Sequence, residues 1–318
     1  MVKYELRPGP RVAIVTGAGI GLGRAYARRL AADGLRVIVN NRRREVDATG
    51  RGSADRVVEE IHAAGGEAVA NYEDVCAAGA GERMVEQALA TWDRLDVLVN
   101  NAGVDQHAAF HKIDLAAFRH IFDVNFLGTL QVTHAAWQHM RAAGHGRVLV
   151  STSSAGLHGL HGLSAYAASK AALIGLARTL AAEGASRDLF CNAIAPYAAT
   201  RMTAAGITDE AERAAMSPDY LAPLVSALVS ERCRVNGQVI VAGHGWARRA
   251  ATVEADSLVY VGPGAAADAC AQLQAEPLRI AGVCREFRDG RESYEEFFAR
   301  VVGDLRQPSG RGSLRRSS

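Results

Sequence analysis

The stretch that decides the fold is "RVAIVTGAGIGLGRAYARRLAADGLRVIVN", which runs from Arg11 to Asn40. Two short apolar runs rich in β-branched residues flank an amphipathic segment, and a glycine-rich turn joins the first run to that segment. Strand, turn, helix and strand in this order predict a unit of two parallel strands joined by a helix. Such a connection is right-handed almost without exception.

The same alternation continues outward from this unit to about residue 245. The further apolar runs of strand length are "EAVANY", "LDVLVN", "RVLVST", "LFCNAIA" and "QVIVAG". Between them lie segments such as "ADRVVEEIHAAGG" and "ERMVEQALATWDRL", in which apolar residues recur every three or four positions, as on one face of a helix. We therefore predict an α/β fold with a doubly wound parallel sheet of seven strands and helices on both faces.

The composition limits the functional classes. The chain has 318 residues, a net charge of +2 and 49% hydrophobic residues, which suits a soluble globular protein and does not indicate a nucleic-acid partner. No run of about 20 apolar residues is present to span a membrane, and the first residues lack the apolar core of a signal peptide, so we expect a cytoplasmic protein. The five cysteines show no C-x-x-C spacing, so neither a metal site nor a disulfide framework is indicated.

Two glycine-containing strand ends predict a dinucleotide site. Ligands of such sheets bind beyond the carboxyl ends of the strands, and "TGAGIGLGR" follows the first strand. Gly17, Gly21 and Gly23 leave no side chain between the backbone and a pyrophosphate, and the helix that begins near Gly21 directs its free N–H groups toward that anion. The fourth strand ends in "VNNAG", whose small residues allow a cofactor to lie flat; an ordinary Asn-Gly turn is the alternative.

The candidate chemistry lies in "STSSAGLHGLHGLSAYAASKAALIGLARTLAAEG", Ser151 to Gly184. We predict a helix over its second half, with Ser164 as N-cap and Gly184 as the stop. Tyr166 and Lys170 are four residues apart and share one face of that helix, which by itself is typical of an ordinary surface pair. Ser153, at the end of the fifth strand, favours catalysis instead, because its hydroxyl can bond to the substrate oxygen that Tyr166 protonates. The lysine, together with a positive nicotinamide ring, should favour the phenolate.

These motifs resemble those of the short-chain dehydrogenase/reductase family, in order and spacing, over about residues 10–245. The resemblance implies a Rossmann domain over residues 1–249 and an NAD(P)-dependent oxidoreductase that interconverts a secondary alcohol and a ketone. The implied catalytic residues are Asn125, Ser153, Tyr166 and Lys170, of which Ser153 and Tyr166 also bind substrate. The predicted cofactor contacts, apart from the arginine segment, are Gly17, Gly21, Leu22, Gly23, Asp74, Val75, Asn101, Ala102, Gly103, Tyr166, Lys170, Pro196 and Thr200.

The resemblance assigns separate roles to these residues. It implies that Lys170 holds the nicotinamide ribose and that Asn125 holds a water of a proton relay. It implies that Asp74 and Val75 flank the adenine, and that Pro196 and Thr200 meet the nicotinamide. One departure is that Tyr197 stands where the family often has a glycine after the proline.

A narrower resemblance concerns the substrate. Segments such as "HAAWQHM", "CNAIAPYAATRMT" and "GHGWARR" are similar to the 3-hydroxyacyl-CoA dehydrogenase domain of peroxisomal multifunctional enzymes of type 2 and to its bacterial single-domain relatives. This implies a 3-hydroxyacyl or 3-oxoacyl thioester as substrate. The alternatives are a ketoreductase or hydroxysteroid-type dehydrogenase acting on a polycyclic or polyketide ketone and, in another class, a dinucleotide-sensing binding protein. The complete catalytic set favours an enzyme.

The arginine segment after the second strand bears on the cofactor. In sheets of this kind an acidic residue about twenty positions past the glycine turn binds the adenosine ribose hydroxyls. Here the position is the neutral Asn41, and Arg42 and Arg43 follow it. A guanidinium binds a phosphate through two charge-assisted hydrogen bonds, so we expect NADP, with Arg42 as the main contact and Arg43 as a second. NAD remains the alternative cofactor, because the multifunctional enzymes that the sequence resembles generally carry aspartate at this position. A second alternative is that the arginines only face solvent and do not contact the cofactor.

The last part of the chain has a different pattern. We expect residues 250–306 to form an extension packed on the main domain or on a neighbouring subunit, and the small, polar, basic residues 307–318 to be disordered. The family resemblance implies a homodimer or homotetramer paired through the helices of 114–141 and 164–184. His158 and His161 lie in a glycine-rich stretch without a neighbouring carboxylate or cysteine, so we expect them at the substrate entrance or in solvent rather than on a metal.

Overall fold

The computed structural model describes residues 8–42, 46, 48, 50–200, 202, 203, 209–253, 292 and 295. The chain divides into two units, Met1–Ala250 and Ala251–Ser318, and nearly all described residues belong to the first. The predicted extension over 250–306 lies almost wholly outside the described residues, and the predicted tail over 307–318 lies entirely outside them.

A single sheet forms the centre of the first unit. Its described strands are β1 (Val12–Val15), β2 (Arg36–Asn40), β3 (Glu67–Asn71), β4 (Val97–Asn100), β5 (Gly146–Ser151), β6 (Leu189–Tyr197), β7 (Val239–Gly243) and β8 (Trp246–Ala250). Their order across the sheet is β3-β2-β1-β4-β5-β6-β7-β8. The strands β1 to β7 pair in parallel, and the order reverses between β1 and β4, where a crevice for a ligand is expected. The predicted doubly wound α/β fold is confirmed.

Helices cover both faces of this sheet. The described ones are α1 (Gly21–Ala32), α2 (Ser53–Ala63), α3 (Ala80–Trp92), α4 (Leu115–Phe122), α5 (Gly128–Ala143), α6 (Ser154–His158), α7 (Ser164–Gly184), α8 (Glu210–Ala215) and α9 (Ala222–Leu228). A π-helical turn, Asp123–Leu127, joins α4 to α5. In the described residues, no helix is both long enough and apolar enough to cross a membrane.

The apolar core consists of two layers, one on each face of the sheet. Because successive strand residues point to opposite faces, Ala13 and Val15 pack with α1, α2 and α9, whereas Val12 and Ile14 pack with α3, α5 and α7. Strands buried on both faces explain the continuous apolar runs in the sequence. The α7 helix, which carries Tyr166 and Lys170, therefore lies on the second face.

Two local expectations differ from the structure. The first helical residue of α7 is Ser164 itself, and Leu163 occupies the N-cap position, so the N-cap assignment of Ser164 is wrong. The sheet also has an eighth strand that the periodicity did not predict. β8 pairs antiparallel with β7 through the two-residue turn of His244 (φ 47°) and Gly245 (φ 76°). Positive φ at both positions matches a tight hairpin, and the residues of β8 are mostly exposed, so they lack the apolar pattern of a buried strand.

Candidate active site

The buried hydroxyl of Thr16 connects the glycine-rich turn to the end of β4 by hydrogen bonds. Thr16 Oγ1 accepts hydrogen bonds from the backbone N–H groups of Asn101 (3.0 Å) and Ala102 (3.1 Å). The Asn101 side chain in turn donates to the carbonyl oxygens of Thr16 and Gly17, at 3.2 Å each. The two predicted cofactor segments therefore form one surface at the switch point of the sheet. The sequence prediction did not single out Thr16, although its place between a buried strand and the first glycine was a usable signal.

The three predicted glycines of the turn are required for different reasons: two for close backbone packing and one for open space beside the helix N-terminus. A Cβ added at Gly17 would lie 2.8 Å from Ala102 Cα, and one added at Gly23 would lie 2.3 Å from the Gly17 carbonyl oxygen, so both residues are needed for close backbone packing. At Gly21 (φ 55°) the nearest described atom to an added Cβ belongs to Thr200, at 3.8 Å. That space admits a pyrophosphate, and the α1 N-cap residue, Ile20, makes no capping bond from its side chain that would compete for the helix N–H groups.

One predicted cofactor residue from the segment after β6 adjoins this turn. Thr200 lies beside Gly21, which brings the segment after β6 to the glycine-rich turn, while Pro196 is paired within β6. The Leu22 side chain is partly buried and packs against the apolar core of the first face. Gly103 lies between the turn and the catalytic residues: its added Cβ would lie 3.1 Å from Asn125 Oδ1 and 3.4 Å from Lys170 Nζ.

The polar residues beyond β2 and β3 form the expected adenosine end. Asn41 donates from Nδ2 to Ser53 Oγ at 2.7 Å, next to the start of α2. Arg42 Nη1 donates to Asp74 Oδ2 at 2.9 Å, so two predicted contacts of the cofactor form an ion pair with each other. Burial acts to raise the pKa of Asp74, but hydrogen bonds from the Cys76 backbone and Arg42 outweigh it and lower that pKa. Arg43 lies outside the described residues.

Val75 follows Asp74 and is buried against α5. A Cβ added at Gly128 would lie 2.8 Å from a methyl group of Val75, and the Gln131 side chain donates to the Val75 carbonyl oxygen. Contacts with α5 therefore fix the position of the segment that we expect at the adenine.

The candidate proton-transfer pair, Ser153 and Tyr166, lies at the carboxyl end of β5. Ser153 is the N-cap of α6, and its Oγ accepts from the Ala155 N–H at 3.1 Å. Tyr166 lies in the first turn of α7 and is half-buried. Burial raises the pKa of the Tyr166 phenol above its ordinary value, a hydrogen bond with Ser153 opposes this, and the charge of Asp105 raises the pKa further. The chain alone thus favours the neutral phenol, whereas the phenolate that we expected requires the nicotinamide charge as well.

Lys170 lies one turn further along α7 and is 4% exposed. Its Nζ donates to the Ser151 carbonyl oxygen at 2.7 Å and lies 5.6 Å from the centre of the Tyr166 ring. Burial lowers the pKa of the ammonium to about 8. A weakly solvated cation held beside a phenol lowers the cost of forming the phenolate, and it also remains available to a ribose hydroxyl.

Asn125 connects the end of β4 to α7. It lies within the π-helical turn, a distortion that is frequent at functional sites, and is fully buried. Its Oδ1 accepts from the Val104 N–H at 2.8 Å, and its Nδ2 donates to the Val104 carbonyl oxygen at 2.9 Å and to Ser169 Oγ at 3.0 Å. The side chain therefore fixes the loop after β4 relative to Tyr166 and Lys170. Ser169, which directly precedes Lys170, and Asp105, which follows the "VNNAG" strand end by two residues, are site neighbours that sequence reasoning missed.

Two histidines of the glycine-rich stretch before α7 are exposed in the structure. His158 and His161 are exposed, as expected for residues at an entrance or in solvent. Within the described part of the chain, no three potential metal ligands among histidine, cysteine and carboxylate residues come together.

Comparison with known proteins identifies the family. Residues 11–211 match the short chain dehydrogenase family. The chain is 44% identical over 243 residues to peroxisomal multifunctional enzyme type 2 of Mus musculus, covering 76% of this chain but only 32% of the mouse protein. It is 40% identical over 264 residues to a short-chain type dehydrogenase/reductase of Mycobacterium tuberculosis, covering 82% of this chain and 92% of that protein. A 3-oxoacyl-[acyl-carrier-protein] reductase of Synechocystis is 40% identical over 194 residues, covering 61% of this chain and 76% of the reductase.

Solved structures agree with this relationship. A short chain dehydrogenase from Mycobacterium avium superposes with a TM-score of 0.75 at 32% identity, covering 86% of this chain and 99% of the other. An NAD(P)-dependent gluconate 5-dehydrogenase from Beutenbergia cavernae, with bound NADP, gives a TM-score of 0.66 at 34% identity, covering 75% of this chain and 97% of the other. The resemblance predicted from the motifs is confirmed, including its relation to the multifunctional enzymes. The chain belongs to the short-chain dehydrogenase/reductase family, whose members are oxidoreductases acting on CH–OH groups.

Proposed function

We propose that the enzyme interconverts 3-hydroxyacyl and 3-oxoacyl thioesters, with NADP as cofactor. The observation that carries the reaction type is the grouping of the Ser153 hydroxyl, the Tyr166 phenol and the buried Lys170 ammonium at the carboxyl end of β5. The substrate class is supported by the similarity to the Synechocystis protein named as a 3-oxoacyl-[acyl-carrier-protein] reductase.

The roles of the side chains follow from their positions. In the reductive direction Ser153 donates a hydrogen bond to the substrate carbonyl oxygen, and Tyr166 gives that oxygen its proton. Lys170 stabilises the phenolate that results and orients the ribose. Asn125 keeps the loop after β4 in place beside both residues. NADPH would supply the hydride when it is bound along the glycine-rich turn.

The substrate assignment is tested by nicotinamide absorbance. We expect 3-oxobutanoyl-CoA to be reduced with a kcat/KM at least ten times that of a small free 3-oxo ester, because the thiol carrier contributes contacts to the enzyme. A free cyclic ketone, a steroid ketone and the free ester serve as controls for the polycyclic and polyketide alternatives. Equal kcat/KM values for the thioester and the free ester would contradict the assignment, and absence of turnover with every ketone would favour a dinucleotide-sensing protein.

The cofactor proposal depends on charge at the adenosine end. Asn41 is neutral, so it does not repel a 2′-phosphate as an aspartate would, and Arg42 lies directly after it. The ion pair with Asp74 partly neutralises Arg42, so the Arg42 guanidinium must share its donors between the carboxylate and the phosphate. The charge-assisted hydrogen bonds are worth about 1.5–3 kcal/mol, which corresponds to a preference of order ten- to a hundredfold.

The matched variants are Arg42→Ala and Asp74→Asn. We expect Arg42→Ala to lose most of the NADP preference and Asp74→Asn to increase it severalfold, because the amide keeps its contact to the Cys76 N–H without holding the guanidinium by charge. The measurement is the ratio of kcat/KM for NADPH and NADH at constant ionic strength. Equal use of both cofactors by the wild type, or a preference unchanged in Arg42→Ala, would contradict the role of Arg42.

We further propose that the protein acts in the cytoplasm as a homodimer or homotetramer that pairs through the helices of 114–141 and 164–184. Large apolar side chains are exposed in the first of these segments, at Leu115, Leu127 and Leu130. Exposed apolar groups of this kind are typical of interaction surfaces. Light scattering at micromolar concentration tests the assembly, and a monomer would contradict it.

A further inference from the structure

A pocket lies beyond the carboxyl end of β6, and none of its described lining residues belongs to the predicted site. Its volume is about 340 Å³, at the lower end of the range of roughly 300–1,000 Å³ for small-molecule sites. The lining residues are Tyr197, Met216, Val241, Ala242, Gly243, His244, Trp246, Ala247 and Arg248. Apart from His244 and Arg248 they are apolar, aromatic or small, and the aliphatic stem of an arginine can cover an apolar wall while its guanidinium stays in water.

The pocket is on the same side of the sheet as Tyr166. Ala193 of β6 and Val239 of β7 pack with α7 residues, and by strand alternation Tyr197 and Val241 point to that same face. Gly243 allows the approach of Tyr197, since a Cβ added at Gly243 would lie 2.8 Å from the Tyr197 Cβ. The departure from the family glycine after Pro196 therefore supplies an aromatic wall.

The register of the strands gives the distance from this pocket to the reacting groups. β5 continues its pairing past its last residue, because the Thr152 N–H donates to the Ile194 carbonyl oxygen at 2.8 Å. Ser153 thus lies about one strand spacing, ~5 Å, from the chain near Pro196 and about two spacings, ~10 Å, from the end of β7. That separation suits a substrate whose carbonyl is at Ser153 and whose distal part extends across the end of β6.

The far wall of the pocket is fixed by two hydrogen bonds. The Ala199 N–H, in the segment after β6, donates to the Met216 carbonyl oxygen at 2.7 Å, and His244 Nδ1 donates to the Ala215 carbonyl oxygen at 2.5 Å. These bonds hold the end of α8 against both the β6 end and the β7–β8 turn. Trp246 remains 80% exposed at the rim, which is unusual for so large an apolar side chain and is expected where a ligand covers it.

We propose that this pocket binds the distal, apolar part of the substrate, an acyl chain of medium length, while the reacting carbonyl lies at Ser153 and Tyr166. The assignment rests on the thioester function proposed above and adds to it a preference for chain length. Each buried methylene contributes about fourfold to binding, so the preference should grow over the carbons that enter the pocket.

The first test fills the pocket. Ala247→Phe adds a ring at an exposed lining position, and Met216→Phe adds one from the opposite wall; Ala63→Phe, on the exposed side of α2, is the control. We expect both pocket variants to lower kcat/KM for 3-oxodecanoyl-CoA at least tenfold and to change it less than twofold for 3-oxobutanoyl-CoA. Equal losses for both substrates, or no loss for the long one in either variant, would overturn the proposal.

The second test measures binding without turnover. Decanoyl-CoA, which lacks the 3-oxo group, should change the fluorescence of Trp246, and the change should be absent in Trp246→Phe and weakened at least tenfold in Ala247→Phe. Absence of turnover with both 3-oxo thioesters would refute the proposed function alone, since this signal does not depend on reduction. An unchanged fluorescence signal on addition of decanoyl-CoA would overturn the proposal. An Ala247→Phe variant whose mass by light scattering changes while its chain-length ratio does not would also overturn it, and would show that the surface is instead an interface between copies.

Discussion

A buried cation lies at each end of the central strands β5 and β6, and the two cations differ in their bonding partners. At the amino end Arg147 is 1% exposed, binds Asp188 through Nη2 at 3.1 Å and stacks on the Phe190 ring at 4.2 Å. At the carboxyl end Lys170 is equally enclosed, but no described carboxylate forms an ion pair with it, and its ammonium bonds to the Ser151 carbonyl oxygen. Burial lowers the pKa of both cations, and Asp188 opposes this only at Arg147.

The difference shows how burial of a charge separates structural from functional groups. A buried cation with a carboxylate partner has its charge compensated inside the fold, and it serves to hold elements together. A buried cation without one keeps an uncompensated charge, which can stabilise an anion that forms during a reaction. The amino end is accordingly a structural cluster, whereas at the carboxyl end the Lys170 charge can stabilise an anion that forms beside it, although burial keeps the Tyr166 phenol neutral in the chain alone.

The largest effect should come from removing the group on which Lys170 acts. We expect Tyr166→Phe to lower kcat by about 10²- to 10⁴-fold, because general acid or base groups contribute that much. The affinity for NADPH should change less than twofold, since the substitution does not alter Lys170, which we expect at the ribose, or the glycine-rich turn. Steady-state kinetics and a fluorescence titration with NADPH measure the two quantities.

A buried phenol elsewhere provides the control for this comparison. Tyr26 lies in α1, is fully buried, and its hydroxyl has no hydrogen-bond partner among the described residues. Tyr26→Phe should therefore leave kcat within a factor of two. A Tyr166→Phe variant that kept more than about a tenth of the wild-type kcat would show that the carboxyl-end cluster is not the proton-transfer site.

At the amino end the same kind of substitution should affect stability and not turnover. Asp188→Asn removes the charge that faces Arg147, His145 and Arg234. Breaking a fully buried pair costs about 3–5 kcal/mol, and since the Asp188 side chain is 35% exposed we expect about 2–3 kcal/mol. Urea unfolding at pH 7 measures this loss, and kcat of the folded variant should remain near that of the wild type.

The control for Asp188→Asn is an ion pair on the surface. Asp33 binds Arg29 four residues earlier on α1 and accepts a hydrogen bond from Ser226 of α9, and Asp33→Asn removes the charge while it keeps an oxygen to accept that bond. Because such pairs contribute less than about 1 kcal/mol, Asp33→Asn should have the smaller effect. If both variants lost the same free energy of unfolding, or if Asp188→Asn also abolished turnover, the division between the two ends of the strands would be wrong.

The two ends also differ in how well the sequence predicted them. The candidate residues of the carboxyl end could be singled out from the sequence, because Tyr166 and Lys170 are one helical turn apart and Ser153 follows the fifth apolar run. The amino-end cluster was not predicted, since Asp188 and Arg147 are 41 residues apart and meet only through the pairing of β5 with β6. The Arg42–Asp74 ion pair was missed for the same reason.

Long-range pairing explains the missed strand as well. The seven parallel strands were predicted because strands buried on both faces leave continuous apolar runs in the sequence. β8 depends on the free edge of β7 and on positive φ at His244, and neither has a signal in the periodicity. Local patterns thus predicted the elements and the candidate residues Ser153, Tyr166 and Lys170, while contacts between distant segments, including the pocket around Tyr197, required the structure.

The smallest effect that distinguishes the two ends is a pH dependence at His145. Burial lowers the pKa of this imidazole below its ordinary value, and Arg147 lowers it further, while Asp188 and Asp96 act in the opposite direction. His145 Nδ1 bonds to Asp188 Oδ2 at 2.8 Å, whereas Nε2 is buried with no hydrogen-bond partner among the described residues. Protonation would place a second N–H where no described acceptor exists, so the folded state keeps the ring neutral.

The sign of the effect follows from this lowered pKa. Above the unfolded value of about 6.5 the ring is neutral in both states, and the contribution of His145 to stability does not depend on pH. Below it the unfolded chain takes up a proton that the folded chain does not, so stability falls by up to about 1.4 kcal/mol per pH unit. The pKa of Asp188 is also lowered, and its contribution is lost only at more acidic pH, below its ordinary pKa of about 3.9.

His145→Asn offers an amide to Asp188 without titrating, so the free energy of unfolding, measured in urea between pH 5 and 7, should depend less steeply on pH than in the wild type. Identical slopes for the two proteins would mean that the amino-end cluster does not keep His145 neutral, and the contrast with the uncompensated charge of Lys170 would then rest on Arg147 alone.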